Sequence, residues 1–371
     1  MKRELWKGNE AFAEAAVRAG LEAYFGYPIT PQTEALEYMS HRMPDLGRAF
    51  LQAESELGAI NMVYGAASTG KRVMTSTSSP GTSLMMEGLS YVAATEIPMV
   101  LVDVVRGGPG LGNIQPSQSD YNQMVHGGPH GDFRQIVFAP STVQETVDIV
   151  YEMFDIAEKY RMIGIVLIDG SIGQMMEPVV LPPMKEIRKE IPEWAVRGAS
   201  GKDRRILTSI HMHAEDLEQA NLRILKRWQE VEKNEVRVEE HFMDDADMAV
   251  IAFGTSGRIA YSAIRSARKK GIKVGLVRPI SLSPFPSKFI GEVADKVDKI
   301  LVVEMNAGMM LEDILPIARD KAQVEFYGRI GGMMPFPDEI LAEIERLNGQ
   351  TRSADAHPRD VWLARMETIA G

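Results

Sequence analysis

Three side chains that could act together on an anionic substrate each follow closely on a predicted β-strand. They are the hydroxyl of Thr30, the carboxylate of Glu56 and the guanidinium of Arg106. In an open α/β sheet, ligands bind outside the carboxyl ends of the strands. An acid and a cation that meet in such a crevice indicate chemistry on a negatively charged molecule.

Two of these residues also have a purely structural interpretation. A carboxylate in the first turn of a helix is favoured by the helix macrodipole, which would account for Glu56. Arg106 taken alone is consistent with an ordinary surface cation. Their convergence with Thr30 at one edge of a sheet favours a functional interpretation.

The elements that would position these residues alternate between strand and helix. Short apolar strands are predicted at residues 23–26, 49–52, 73–76 and 98–105, with helices between them. This alternation predicts a mainly parallel sheet covered by helices on both faces. Thr30 is expected to cap the second helix, with Pro31 at its first position.

The pattern stops between residues 106 and 134, in a stretch rich in Gly, Asn, Gln, Pro and Ser. A loop of this length in a compact domain is usually functional or disordered, and its Asn, Gln, Tyr, His and Phe residues indicate a shaped binding loop. Helix and strand then resume. The prediction is an α/β fold with two doubly wound, mainly parallel β-sheet domains at residues 1–176 and 247–371. Residues 177–246 are predicted to be a linker that carries a charged amphipathic helix.

Composition excludes several classes of function. The 371 residues carry a net charge of −10 without a long Lys/Arg run, which argues against nucleic-acid binding. The absence of cysteine excludes disulfides and a Cys-ligated iron–sulfur cluster within the chain. No apolar run has the length of a membrane helix, and no secretory signal is recognised, so the expected location is cytoplasmic.

Glycine and histidine motifs give weaker signals. Residues 65–71 nearly spell a P-loop, but they follow a predicted helix and precede a strand, the reverse of the required context. Residues 254–257 follow a strand and open a helix, so they could cradle a phosphate, although a tight turn is the default. His126 and His130 flank Gly-Gly-Pro, which prevents a helix and favours a loop polar network over a metal site.

The chain resembles the α subunit of thiamine-diphosphate-dependent 2-oxoacid:ferredoxin oxidoreductases over almost its whole length. The motifs that carry the resemblance are at residues 8–11, 26–31, 52–59, 78–81, 106–112 and 130–132. The resemblance implies that the first domain is like the pyrimidine-binding domain of thiamine enzymes. It implies that the second is like their transketolase C-terminal domain.

Individual roles follow from the same resemblance. Glu56 matches the glutamate that hydrogen-bonds N1′ of the aminopyrimidine, which makes it the expected catalytic residue. Thr30 and Arg106 match substrate-binding residues, with the guanidinium on the 2-oxoacid carboxylate. Pro28 and Ser79 are expected to contact the cofactor.

One departure from thiamine enzymes implies that the chain is half of an active site. Those enzymes anchor diphosphate and Mg²⁺ through Gly-Asp-Gly followed later by Asn, whereas this chain has only Ile-Asp-Gly-Ser at residues 168–171. We therefore expect no metal ligand here. The Mg²⁺ and [4Fe-4S] sites are expected on partners: a β subunit that completes the thiamine diphosphate site, with γ and ferredoxin-like δ subunits.

The implied reaction is oxidative decarboxylation of a 2-oxoacid with CoA to acyl-CoA and CO₂, with electrons passed to ferredoxin. Residues 109–121 resemble the branched-chain (3-methyl-2-oxobutanoate) enzymes more than the 2-oxoglutarate enzymes, which are the alternative. Two hypotheses of another class are a non-catalytic regulatory or scaffold subunit on a thiamine-type fold and a stand-alone nucleotide-binding enzyme that uses residues 254–257.

Overall fold

The computed structural model describes residues 2–198, 204–350 and 356–370. The strands are β1 Glu4–Lys7, β2 Ala23–Gly26, β3 Ala49–Gln52, β4 Val73–Thr77, β5 Met99–Val105, β6 Ile136–Phe138, β7 Ile163–Asp169, β8 Met176–Val179, β9 Val238–His241, β10 Met248–Ile251, β11 Val274–Pro279, β12 Ser281–Ser283, β13 Lys299–Glu304 and β14 Gln323–Gly328. The helices are α1 Gly8–Arg18, α2 Thr33–Asp45, α3 Glu56–Ser68, α4 Ser79–Ala94, α5 Tyr121–Val125, α6 Val143–Tyr160, α7 Gly170–Gln174, α8 Ala214–Asn234, α9 Gly254–Lys269, α10 Ser287–Ala294, α11 Met309–Ala318, α12 Pro337–Asn348 and α13 Pro358–Ala370.

The first sheet has seven strands in the order β12-β6-β7-β5-β4-β2-β3. All neighbours are parallel except β12, which runs antiparallel to β6. Side chains alternate along the central strand β5: Leu101 and Val105 belong to one hydrophobic core, and Val102 and Val104 belong to another. Since successive side chains of a strand point to opposite faces, both faces of this sheet are covered.

The second sheet has the order β14-β13-β10-β11-β9. Its first four strands are parallel, and β9 pairs antiparallel with β11. One continuous core includes Ile60 and Leu89 beside the first sheet and Val250 and Phe253 beside the second. The predicted fold class, α/β with two doubly wound and mainly parallel sheets, is confirmed.

Pairing between distant segments links the parts of the chain. Strand β9 lies within the predicted linker yet belongs to the second sheet, and β12 from the later part of the chain forms an edge of the first sheet. Strands β1 and β8 form a separate antiparallel pair. The division at residues 176 and 246 stays a prediction. No helix in the described ranges is long and apolar enough to cross a membrane.

The predicted cap at Thr30 is wrong. Helix α2 begins at Thr33, and Thr30 and Pro31 form a turn in which the Gln32 amide donates to the Ile29 carbonyl at 3.0 Å. The Pro31 carbonyl accepts hydrogen bonds from the side chains of Asn9 at 2.7 Å and Gln174 at 2.6 Å. These long-range bonds hold the turn in place and delay the start of the helix.

Candidate active site

Parallel strands that end in register bring the predicted residues to one edge of the first sheet. Gly26 at the end of β2 pairs with Gln52 at the end of β3, and Val105 at the end of β5 pairs with Asp169 at the end of β7. The segments that follow these strands therefore emerge side by side. They carry Thr30, Glu56, Arg106 and the start of α7.

Glu56 is the first residue of α3. The helix begins there because the hydroxyl of Ser55 accepts a hydrogen bond from the Gly58 amide at 3.1 Å. Only 4% of Glu56 is exposed. A Cβ atom on Gly81 would overlap the Glu56 carboxylate, so glycine is required there for α4 to approach this closely.

The Glu56 carboxylate forms no hydrogen bond or ion pair with any residue in the described ranges. An unpartnered carboxylate in a buried position is costly unless something donates to it. The macrodipole of α3 offsets only part of that cost, typically about 0.3–1 kcal/mol. The geometry therefore favours a ligand that supplies a hydrogen-bond donor at this point.

Arg106 follows directly on β5 and is 7% exposed. Its Nη1 donates to the Thr30 carbonyl at 2.8 Å, and its Nη2 donates to the Leu111 carbonyl at 3.2 Å. Its backbone amide donates to the Ser79 hydroxyl at 3.1 Å. Among the residues that the structure describes, no carboxylate forms an ion pair with Arg106, and its Nε has no partner. The positive charge is thus available to an anion.

Arg106 contacts both Thr30 and Ser79, and the Glu56 carboxylate lies against Gly81, two residues after Ser79 on α4. Thr30 is exposed and lines a cleft of about 670 Å³, whereas Ser79 lines a second cleft of about 530 Å³. Arg106 contacts a lining residue of each cleft. Pro28 is half-buried in the segment between β2 and Thr30. The roles of these five residues stay predictions.

Two acids beneath the site escaped the sequence analysis. Asp103 is fully buried within β5, and Asp120 is 7% exposed in the loop beyond Arg106. Burial raises the pKa of Asp103 well above its ordinary value, and the charge of Asp120 raises it further. Burial also raises the pKa of Asp120, while Ser79, Asp103 and Arg106 oppose that rise. The directions favour a protonated Asp103, whose two side-chain oxygens have no hydrogen-bond partner in the described ranges.

The loop histidine forms a polar network, as expected. His126 Nε2 lies 2.9 Å from Asp313 Oδ2, and the Tyr121 hydroxyl donates to the same oxygen at 2.6 Å. In the described part of the chain, no cluster of His, Cys, Asp and Glu could hold a metal ion.

The start of α9 at Gly254 is occupied by protein. The Gln118 side chain donates to the Phe253 carbonyl at 2.9 Å and accepts from the Ser256 hydroxyl at 2.9 Å. A phosphate would have to displace this buried amide. Residues 254–257 are therefore not available to bind a phosphate, which argues against a stand-alone nucleotide-binding enzyme. A tight structural turn is the better interpretation of this segment.

Comparison with known proteins decides the family. A model described as pyruvate flavodoxin/ferredoxin oxidoreductase, thiamine diphosphate-binding, matches residues 14–243. A second, pyruvate:ferredoxin oxidoreductase core domain II, matches residues 246–340. The chain belongs to the pyruvate flavodoxin/ferredoxin oxidoreductase family. The predicted α-type subunit of a 2-oxoacid:ferredoxin oxidoreductase is thereby confirmed, and a thiamine diphosphate-binding domain with it.

Individual relatives cover nearly the whole chain. The ketoisovalerate oxidoreductase subunit VorB of Methanothermobacter thermautotrophicus is 46% identical over 351 residues, which are 95% of this chain and 99% of that protein. The 2-oxoglutarate synthase subunit KorA of Methanothermobacter marburgensis is 37% identical and covers 91% of this chain and 97% of its own length. Such subunit names imply a multi-subunit complex.

Solved structures agree on the fold. The 2-oxoglutarate:ferredoxin oxidoreductase from Magnetococcus marinus with 2-oxoglutarate, coenzyme A and succinyl-CoA bound superposes with a TM-score of 0.83 at 27% identity. That match covers 93% of this chain and 65% of the Magnetococcus chain. An inactive tetramer of a split-gene transketolase, with a TM-score of 0.57 at 13% identity, shares the fold alone.

Proposed function

We propose that this chain supplies the pyrimidine-activating and carboxylate-binding half of the active site in an enzyme that oxidises 3-methyl-2-oxobutanoate. The products are the branched acyl-CoA and CO₂, with electrons passed to ferredoxin. The observation that carries the proposal is the buried Glu56 carboxylate, which has no hydrogen-bond or ion-pair partner among the described residues and lies at the same sheet edge as Arg106, which forms no ion pair with them.

Glu56 is placed to hold a proton donor of a bound ring. Its burial strengthens a charge-assisted hydrogen bond, because water does not compete for the carboxylate. Thiamine diphosphate, when bound, supplies a nucleophilic carbon for attack on the 2-oxoacid. Glu56 would accept a hydrogen bond at N1′ of the aminopyrimidine, while Pro28, Ser79 and the close approach at Gly81 would shape the pocket around it.

Arg106 and Thr30 would bind the substrate. The guanidinium is already fixed by two backbone carbonyls, so little side-chain entropy is lost when an anion binds. One buried charge-assisted contact of this kind is worth about 2–4 kcal/mol. The exposed hydroxyl of Thr30 lies beside the same group, where it could donate to the substrate carboxylate or carbonyl.

The residues that line the two clefts favour a substrate with an apolar side chain. Of the described residues that line the two clefts, none is Lys or Arg, whereas Met305, Met309 and Ile330 line one cleft and Ile114 and Met334 line the other. The second carboxylate of 2-oxoglutarate would be held best by a cation, which these walls lack, although Ser and Gln side chains also line both clefts. A branched apolar side chain suits these walls better, in agreement with the name of the VorB relative.

Exposed apolar residues surround the site and support a partner that covers it. Leu57 and Leu84 stand on α3 and α4, and Leu111 and Ile114 stand on the loop beyond Arg106; these four are 45–83% exposed. Exposed apolar clusters of this kind mark protein interfaces. The proposed partner is a β subunit that carries the diphosphate and Mg²⁺ site, in a cytoplasmic complex with γ and ferredoxin-like δ subunits that carry the [4Fe-4S] clusters.

The test is substrate preference in the native complex. We expect a kcat/KM for 3-methyl-2-oxobutanoate about tenfold or more above that for 2-oxoglutarate, since an apolar wall rejects an unpaired charge. The assay follows CoA-dependent reduction of ferredoxin. Preference for 2-oxoglutarate would contradict the substrate assignment, and a complex without CoA-dependent turnover on any 2-oxoacid would contradict the function.

A further inference from the structure

The loop that begins with Arg106 folds back on itself at once. The Gly107 amide donates to the Gln115 carbonyl at 2.9 Å, and the Asn113 amide donates to the Gly107 carbonyl at 2.9 Å. The carbonyl of Leu111, within this turn, accepts one of the two hydrogen bonds that fix the Arg106 guanidinium. A shift of the turn 107–115 would therefore shift the guanidinium.

Asn113 joins this turn to the second domain. Its Nδ2 donates to the Gly331 carbonyl at 2.6 Å, while its Oδ1 accepts from the Gln115 amide at 2.9 Å. The approach is close, because a Cβ atom on Gly332 would lie 2.6 Å from Asn113 Oδ1. One exposed side chain thus links the arginine turn to the segment after β14.

Gln118 fixes the other end of the same loop and is 3% exposed. Its backbone amide donates to the Met305 carbonyl at 3.0 Å, and its Oε1 accepts from the Met305 amide at 2.9 Å. Its Nε2 donates to the Phe253 carbonyl, and its own carbonyl accepts from Asn306 Nδ2 at 3.0 Å. All these partners belong to the second domain.

We propose that Asn113 and Gln118 are positioning residues, through which the second domain holds Arg106 in the orientation that binds the substrate carboxylate. Neither side chain forms a hydrogen bond with the guanidinium in the described ranges, so Asn113 acts through the turn 107–115 and Gln118 through the loop that continues from it. The inference rests on the proposed function, because it takes Arg106 as the carboxylate ligand. It gives the second domain, which supplies neither Glu56 nor Arg106, a direct effect on the affinity for the 2-oxoacid.

Asn113→Asp tests the link in the native complex. The aspartate keeps the size of the side chain and the acceptor for Gln115, but it cannot donate to Gly331. Folding should survive because Asn113 is exposed. We expect the KM for the 2-oxoacid to rise about tenfold, since small displacements of a binding group cost large factors. The KM for CoA and the kcat should change by less than about twofold, because only Arg106 is displaced.

Asn234→Asp is the matched control. Asn234 is an exposed asparagine whose Nδ2 donates to the Glu230 carbonyl at 2.7 Å on α8, far along the chain from the site. The substitution Asn234→Asp removes the same kind of hydrogen bond and leaves the turn 107–115 unchanged. We expect wild-type kinetics.

The double variant Arg106→Lys/Asn113→Asp separates positioning from a general structural role. If Asn113 acts only through Arg106, the double variant has the same KM for the 2-oxoacid as Arg106→Lys alone. Additive losses, or a wild-type KM in Asn113→Asp, would overturn the inference and leave the proposed function standing. A wild-type KM in Arg106→Lys would overturn the proposed role of Arg106, and the inference with it.

Discussion

Replacing Glu56 by Gln tests the central assignment with little change in shape. The amide matches the carboxylate in size, and no protein hydrogen bond is lost because the Glu56 carboxylate has no partner in the described ranges. If Glu56 only stabilises the start of α3, its removal costs about 0.3–1 kcal/mol of unfolding free energy and leaves chemistry intact. If it activates a bound cofactor, stability changes by no more than that amount, and the chemical step slows by about 10²–10⁴-fold.

The assay is hydrogen–deuterium exchange at C2 of thiamine diphosphate bound in the assembled complex, with a thermal unfolding curve of the same preparation. Glu54→Gln is the matched control: Glu54 lies two residues earlier, is exposed, and accepts a hydrogen bond from its neighbour Ser55 at 3.2 Å. An exchange rate in Glu56→Gln equal to wild type would refute the reasoning. Loss of exchange in Glu54→Gln alone would move the role to that residue.

Further outcomes are expected for other parts of the site. Arg106→Lys should lower kcat/KM for the 2-oxoacid by a factor that corresponds to about 2–4 kcal/mol of lost transition-state stabilisation, because an ammonium cannot reproduce the planar guanidinium fork. Steady-state kinetics of the complex measure this change. The purified chain alone should show no turnover with thiamine diphosphate, Mg²⁺, CoA, a 2-oxoacid and a dye acceptor, and measurable turnover would contradict the half-site. Gly81→Ala should weaken thiamine diphosphate binding about tenfold in a titration of the complex, because the added methyl displaces Glu56 and the Thr77 hydroxyl. Burial raises the pKa of Glu304 from 4.5 to about 7, so between these values the folded state binds more protons than the unfolded chain and loses stability as pH rises. Glu304→Gln cannot titrate, so the variant does not lose stability in this pH range. Its melting temperature minus that of the wild type should therefore rise between pH 4.5 and pH 7, by an amount equivalent to about 3 kcal/mol of unfolding free energy. A difference that does not change with pH would contradict the raised pKa of Glu304.

The strands of the site could be predicted because their signal is local. Short apolar runs predicted β2 and β3 with their observed bounds. Parallel strands then place their carboxyl ends at one edge, so Thr30, Glu56 and Arg106 were expected together without knowledge of any contact. The edge strand β12 was not found, because its pairing with β6 joins segments far apart in sequence.

The error at Thr30 has the same origin. Thr-Pro before a helical pattern is a good local start signal, but the carbonyl of Pro31 is used by Asn9 and Gln174, which come from α1 and α7. Local propensity was overridden by contacts that exist only in the folded chain. The substrate-binding role that the family resemblance implies for Thr30 stays a prediction, and the resemblance did not predict the conformation of this turn.

Asp103 shows what a sequence pattern conceals at such a site. A single aspartate within a fully buried strand conflicts with the rule that buried charges are paired, and this conflict was the available signal. Its partner Asp120 lies in the irregular loop, whose course is set by Gln118 and the second domain. Conflicts of this kind are expected where function overrides stability. Here they lie together, since Asp103 is on β5 three residues before Arg106, which follows directly on that strand, and the charge of Arg106 acts on Asp120. Among the described residues, the buried acids, an arginine without an ion pair and the unpartnered Glu56 therefore lie near one edge of the sheet, where the proposed cofactor and anionic substrate would bind.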